Sequence, residues 1–253
     1  MFRKTLTCGL AALSLAALPL AAEEALTADQ VIAKNLEARG GAEKIAALKS
    51  AKVTGKMMMG PGMEAPFTME WKRPDKVRME FTIQGMAGIQ AYDGTTAWML
   101  MPFMGQTAPE KMPEQQAKDV IDQADFEGPL VGYRDKGHQV EYLGTEEIEG
   151  TPAHKLKMTK KNGDVEYHFL DAEASLEIMV KTSREMNGQP FEFQAGFGDY
   201  KEVGGLVMPH SIEITAAGAP ASQVITMEKI ELNPEIADDR FTMPAAEPKT
   251  EGP

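Results

Sequence analysis

Four histidines, His138, His154, His168 and His210, are the side chains whose charge changes most readily near neutral pH, and so the first candidates for proton transfer or metal binding. None stands at ligand spacing from another on a helix or loop. The segment Lys161-Asn162-Gly163-Asp164 reads as a two-residue hairpin turn in which Lys161 faces Asp164. Counting outward, Met158 meets Tyr167, Leu156 meets Phe169 and Lys157 meets His168. His154 and His168 then fall on opposite faces and cannot share an ion. There is no Gly-x-Ser-x-Gly elbow and no phosphate-binding glycine loop. Carboxylates recur at alternate positions, the spacing of a solvated sheet face. No catalytic group, metal site or cofactor is named on these grounds, and the chemistry left to the chain is binding.

Methionine is the abundant soft side chain, with 18 in all against an aromatic content of 7%, and it is crowded between Met57 and Met112. Unbranched thioethers reshape around variable apolar partners, which suits a site for acyl chains of differing length. The same residues also serve as gap fillers in a core. Clustered thioethers select Cu(I), so a Met-rich copper-binding protein is the competing reading from another class. Against copper, Met57 and Met58 point to opposite faces of a strand, and no Met motif repeats.

These residues must be positioned by a chain of 253 residues, 43% apolar, long enough for one sizeable core. The net charge of −12, with no dense basic stripe, excludes nucleic acid as a partner. Residues 1–22 combine Arg3 and Lys4, an apolar run from Leu10 to Leu18, Pro19, and Ala21-Ala22 before Glu23, the pattern of a cleavable secretory signal peptide. Its removal makes the chain more acidic still and takes away Cys8, leaving no cysteine for disulfides. No later segment approaches the ~18 apolar residues of a membrane span, and a bacterial periplasm fits best. One domain is expected over 23–244, followed by a frayed polar tail, 245–253.

Thr27 and Gln30 form a capping box that opens an amphipathic helical pair over 27–50, broken at Gly40-Gly41. From Ala51 the period becomes two. Phe67, Met69 and Trp71 alternate with Thr68, Glu70 and Lys72, and Met79, Phe81 and Ile83 alternate with Arg78, Glu80 and Thr82. The pattern recurs at Tyr167 and Phe169 and onward to Leu232, giving about eleven strands. Between Pro109 and Phe126 the residues Ala117, Val120, Ile121 and Ala124 return to helical spacing. Two short helical regions cover little of so long a sheet. Its apolar face is either filled by its own side chains or left as a cavity. The candidate lining residues, from strand phase, are Phe67, Met69 and Trp71, then Met79, Phe81 and Ile83, then Leu100, Tyr167 and Phe169.

Two stretches, Trp71-Lys72-Arg73-Pro74 before Val77-Arg78-Met79, and Tyr92-Asp93-Gly94 leading through Trp98 to Pro102-Phe103, resemble the LolA-type periplasmic carriers of outer-membrane lipoproteins. The close, Phe241-Thr242-Met243-Pro244, is similar as well. The resemblance implies an incomplete antiparallel β-barrel of about eleven strands, with helices forming a lid over a hydrophobic cavity for acyl chains. It adds Trp98 to the lining and makes Arg73 the latch of the lid. It also implies an inner-membrane donor complex and an outer-membrane acceptor as partners. The chain departs from the pattern in length around Gly128 to Gly150 and in its acidity. A carrier or sensor of another hydrophobic ligand, a glycolipid or a fatty acid, is the adjacent reading.

Overall fold

The computed structural model describes residues 26–58, 60, 62–186, 189–218 and 222–245. The expected signal peptide and nearly all of the expected tail lie outside them. Among the described residues three helices, α1 (Ala28–Ala38), α2 (Ala42–Ala46) and α3 (Glu114–Gln123), accompany fifteen strands. The first six are β1 (Ser50–Met58), β2 (Glu64–Lys72), β3 (Lys76–Ile83), β4 (Met86–Tyr92), β5 (Ala97–Leu100) and β6 (Glu110–Lys111). After α3 come β7 (Gln139–Ile148), β8 (Thr151–Thr159), β9 (Val165–Asp171), β10 (Glu177–Met186) and β11 (Gln189–Gly198). The short ribbon β12 (Lys201–Val203) and β13 (Leu206–Met208) precedes β14 (Ser211–Ala216) and β15 (Gln223–Leu232).

Thirteen strands form one sheet in the order β6-β5-β4-β3-β2-β1-β15-β14-β11-β10-β9-β8-β7, and β12-β13 stands apart. Each pairing is antiparallel, and the end strands β6 and β7 do not meet, so this is an unclosed barrel. The sheet exceeds the expected eleven strands through short pieces such as the two-residue β6, which carry too few residues to show a period. Between the two edges the chain runs through α3 and the segment 124–138, which span the gap.

All three helices lie on one face, the inner one. Val31 and Ile32 of α1 pack on Leu156, Met158 and Leu170, while Ile45 of α2 and Leu48 meet Leu206. Val120 of α3 and Ala124 pack on Val77, Ala97 and Met112. The capping box that starts α1 is present in both directions, Thr27 N–H donating to Gln30 Oε1 at 2.8 Å and Gln30 N–H to Thr27 Oγ1 at 3.3 Å. Gly41 takes φ of 101°, a conformation open to glycine, and the chain turns there into α2. The C-terminal segment crosses the outer face. Phe241 is fully buried beside Trp98, whose indole N–H donates to the Phe241 carbonyl at 2.7 Å, and Arg240 binds Glu70 at 2.9 Å.

The β8–β9 hairpin differs from the expected register by one residue. Lys160, not Lys161, faces Asp164: Lys160 N–H donates to Asp164 O at 2.8 Å and Gly163 N–H to Lys160 O at 2.9 Å. The loop thus holds three residues, with Gly163 at φ 92° supplying the left-handed position such a loop needs. Leu156 consequently pairs with His168 and Met158 with Glu166. A slip of one residue exchanges faces. His154 and His168 therefore share the inner face, and Tyr167 and Phe169 turn outward. The apolar-with-apolar match misled because both faces are covered here: on the outer side Phe169 packs with Ile148, Ala153 and Met179.

Candidate functional site

The lid meets the sheet at Arg73, in the turn between β2 and β3. Its guanidinium donates from Nε to the carbonyl of Leu48, from Nη2 to the carbonyl of Ile45 at 3.2 Å, and forms an ion pair with Glu127. The ring of Phe126 lies 5.3 Å from the guanidinium carbon. One cation thus gathers the C-terminal carbonyls of α2, where the helix dipole favours positive charge, and the carboxylate of the segment after α3. A second arginine reaches the same lid residue from the other side, since Arg39, the C-cap of α1, donates to the Glu127 carbonyl at 2.9 Å. Trp71 supports the contact by donating its indole N–H to Gln123 O at 2.8 Å, and Lys136 fixes the loop through Asp125 at 2.6 Å and Gly128 O at 2.9 Å.

Beneath the lid is a chamber of about 230 Å³. Its apolar wall comes from Ala51, Val53, Trp71, Phe197, Met208 and Met227, with Phe126 and Leu130 above. On the outer side of the segment 125–129 opens a larger cleft of about 710 Å³, between Arg73, Tyr92, Ile121, His138 and Lys160. Asp125, Phe126, Glu127 and Pro129 line both spaces. A few residues of lid are all that separates them. Ile121, expected on the apolar stripe of α3, is instead 42% exposed and faces this cleft.

The chamber has a polar wall as well. His168 is buried and donates from Nδ1 to Glu177 at 2.6 Å, while Glu166 lies 3.4 Å from its other nitrogen. Burial works against the imidazolium, but Glu177 and Glu166 outweigh it and push His168 up to about 9. Glu166 is opposed by burial too, yet His168 and Lys160 hold it down to about 2. Lys160 joins Glu166 at 2.7 Å to Asp122 of α3 at 3.0 Å, linking the sheet to the helix that spans its gap. The Tyr200 hydroxyl donates to Glu177 O at 2.6 Å, and buried Asn35 donates to Ser175 O at 2.8 Å.

Of the candidate lining residues, Trp71 reaches the chamber. Phe67, Met69, Met79, Phe81 and Ile83 share its inner face but pack with Val53, Met57, Ile225 and Ile230 into a filled cluster toward the other end of the strands. Trp98 and Leu100 lie on the outer face, contrary to expectation. Trp98 pairs with Ala91 and sits under Phe241 and within 5.8 Å of the Arg78 guanidinium, because the C-terminal strap covers that side. Tyr167 and Phe169 are outer as well, for the reason of register given above. Glu127, Phe126, Arg39 and the His168 pair were not read from the sequence. The one local signal was the Gly128-Pro129 hinge that follows Glu127. Among the described residues no group of three or more His, Cys, Asp or Glu is placed to hold a metal ion, and no helix is long and apolar enough to cross a membrane.

No family model matches the sequence, and no curated protein matches it. Solved structures do. A LolA superfamily protein from Nitrosomonas europaea superposes with a TM-score of 0.59 at 15% identity, over 86% of this chain and 98% of that one. A domain titled putative outer membrane lipoprotein-sorting protein, from Vibrio parahaemolyticus, superposes with a TM-score of 0.56 at 11% identity over 84% and 94%. The chain has a LolA-like fold. A DUF1329 family protein from Desulfovibrio piger shares it, with a TM-score of 0.60 at 10% identity over 85% and 96%. In this LolA-like fold the Lys72-Arg73-Pro74 motif stands at the seam between sheet and lid, and the open side of the sheet lies under α3 and the segment 124–138.

Proposed function

We propose that this protein is a non-catalytic periplasmic carrier that shelters the acyl chains of lipoproteins, or of a chemically similar lipid, beneath its lid, with Arg73 as the latch. The observation that carries this reading is the pairing of an apolar inner face with a cover fastened by a few polar contacts. The chamber of about 230 Å³ is smaller than the ~300 Å³ at which ligand pockets begin, so loading requires the lid to rise. The filled cluster behind it contains Met57, Met69, Met79 and Met227, side chains able to repack around a guest. Each methylene moved from water into such a space gains about 0.8 kcal/mol, whereas transfer from a bilayer gains almost nothing. Exchange between membranes is then decided by the polar contacts of the lid. The test is mass spectrometry of organic extracts from gently purified protein, with uptake of a fluorescent fatty-acyl probe in parallel. Stoichiometric lipid or saturable uptake supports the reading. A protein free of lipid that takes up no probe overturns it.

A further inference from the structure

We propose that the chamber is built for an amphiphile with one apolar chain and an anionic carboxylate or phosphate head, and that Arg39 is the residue that receives the head. The inference rests on the apolar-chain reading above and narrows its ligand class. Three carboxylates line the chamber, and each already has its own cation: Asp125 has Lys136 at 2.6 Å, Glu127 has Arg73, and Glu177 has His168 at 2.6 Å. Arg39 lines the same chamber, is only partly exposed, and has no carboxylate within ion-pair distance among the described residues. Its side-chain bond is the single donation to the Glu127 carbonyl. A guanidinium carries five N–H donors in a planar fork that matches a carboxylate or a phosphate, and a partly shielded cation without a counter-charge is stabilised by an anionic guest.

The apolar surface beside it sets the rest of the ligand. Ala51, Val53, Trp71 and Met208 form a wall for hydrocarbon, and a single chain asks a smaller opening of the lid than several do.

The experiment measures binding of dodecanoate, dodecyl phosphate and dodecanol, which share a tail and differ in the head, to the full chain after delipidation. Both anions, or one of them, are expected to bind about tenfold or more tightly than the alcohol, the size of a charge-assisted hydrogen bond. The arm that binds tighter identifies the head. Arg39→Met, which keeps the aliphatic length, should abolish the preference for the anions over the alcohol, whatever its effect on the shared tail's binding. Equal binding of all three ligands by the unaltered protein overturns the proposal while sparing the apolar-chain reading, and needs no variant. An Arg39→Met protein that keeps the preference also overturns it. Binding of none of the three removes both.

Discussion

Arg73 and Glu127 make the lid a matter of single residues. The pair is partly shielded, with side-chain exposures of 33% and 15%, so its strength falls between that of a surface ion pair and a buried one. Losing the charged contacts of Arg73 should cost the closed form ~1.5–3 kcal/mol. Arg73→Leu is therefore expected to release a bound acyl probe about tenfold faster or more, with the circular dichroism spectrum unchanged. Glu127→Gln keeps the carbonyl that Arg39 holds and loses only the carboxylate, so its effect should have the same sign and a smaller size. Stopped-flow release into vesicles reads both. Release rates in the two variants equal to that of the unaltered protein would remove the latch. Arg73 was legible in the sequence through its Lys-Arg-Pro setting, but its partner was not. Glu127 gains its role only where the chain returns to the seam 54 residues later, a separation no local pattern encodes.

Elements whose sides differ in water exposure could be read from period alone, and those covered on both sides could not. Strands β2 and β3 keep one apolar face and one polar face, and their phase placed Phe67, Met69, Met79 and Phe81 on the inner side. In β9 every residue from Glu166 to Leu170 except Tyr167 is buried, so alternation gives no face. There the turn alone sets the register, and its loop holds three residues where Asn-Gly predicts two. Phe81→Asp plants a carboxylate among apolar neighbours on the inner face, where the Phe81 ring lies 5.9 Å from that of Phe103, and should lower both probe uptake and the melting midpoint. Tyr167→Asp places the same charge on the outer face beside Lys155, whose ammonium lies 5.2 Å from that ring, and should leave uptake unchanged. Uptake lost in Tyr167→Asp and kept in Phe81→Asp would mean that the two faces are exchanged.

At the scale of the molecule, an unclosed sheet has to be held to whatever spans its gap, and here a chain of charges buried at its centre does so. Asp122 of α3, Lys160 of the β8–β9 turn, Glu166 and His168 of β9 and Glu177 of β10 are linked at 3.0, 2.7, 3.4 and 2.6 Å in turn. Such a seam ties stability to pH through the difference in protonation between folded and unfolded chains. His168 is raised from 6.5 to about 9, so its contribution is complete below pH 6.5 and is lost as the pH rises through 9. Glu166 is lowered from 4.5 to about 2, so its contribution is complete above pH 4.5 and is lost as the pH falls through 2. Both contributions are complete only between pH 4.5 and 6.5. The melting midpoint contributed by this seam should peak in that window and fall toward pH 9, each kcal/mol lost lowering it by ~2–4 °C in a domain of this size. His168→Gln removes the imidazole's titration and should flatten the alkaline limb while lowering the plateau, because Glu177 loses its cation and Glu166 keeps only Lys160. Calorimetry across pH 4 to 10 compares the two proteins. An alkaline limb of the same steepness in both would show that the protonated His168 does not strengthen this seam.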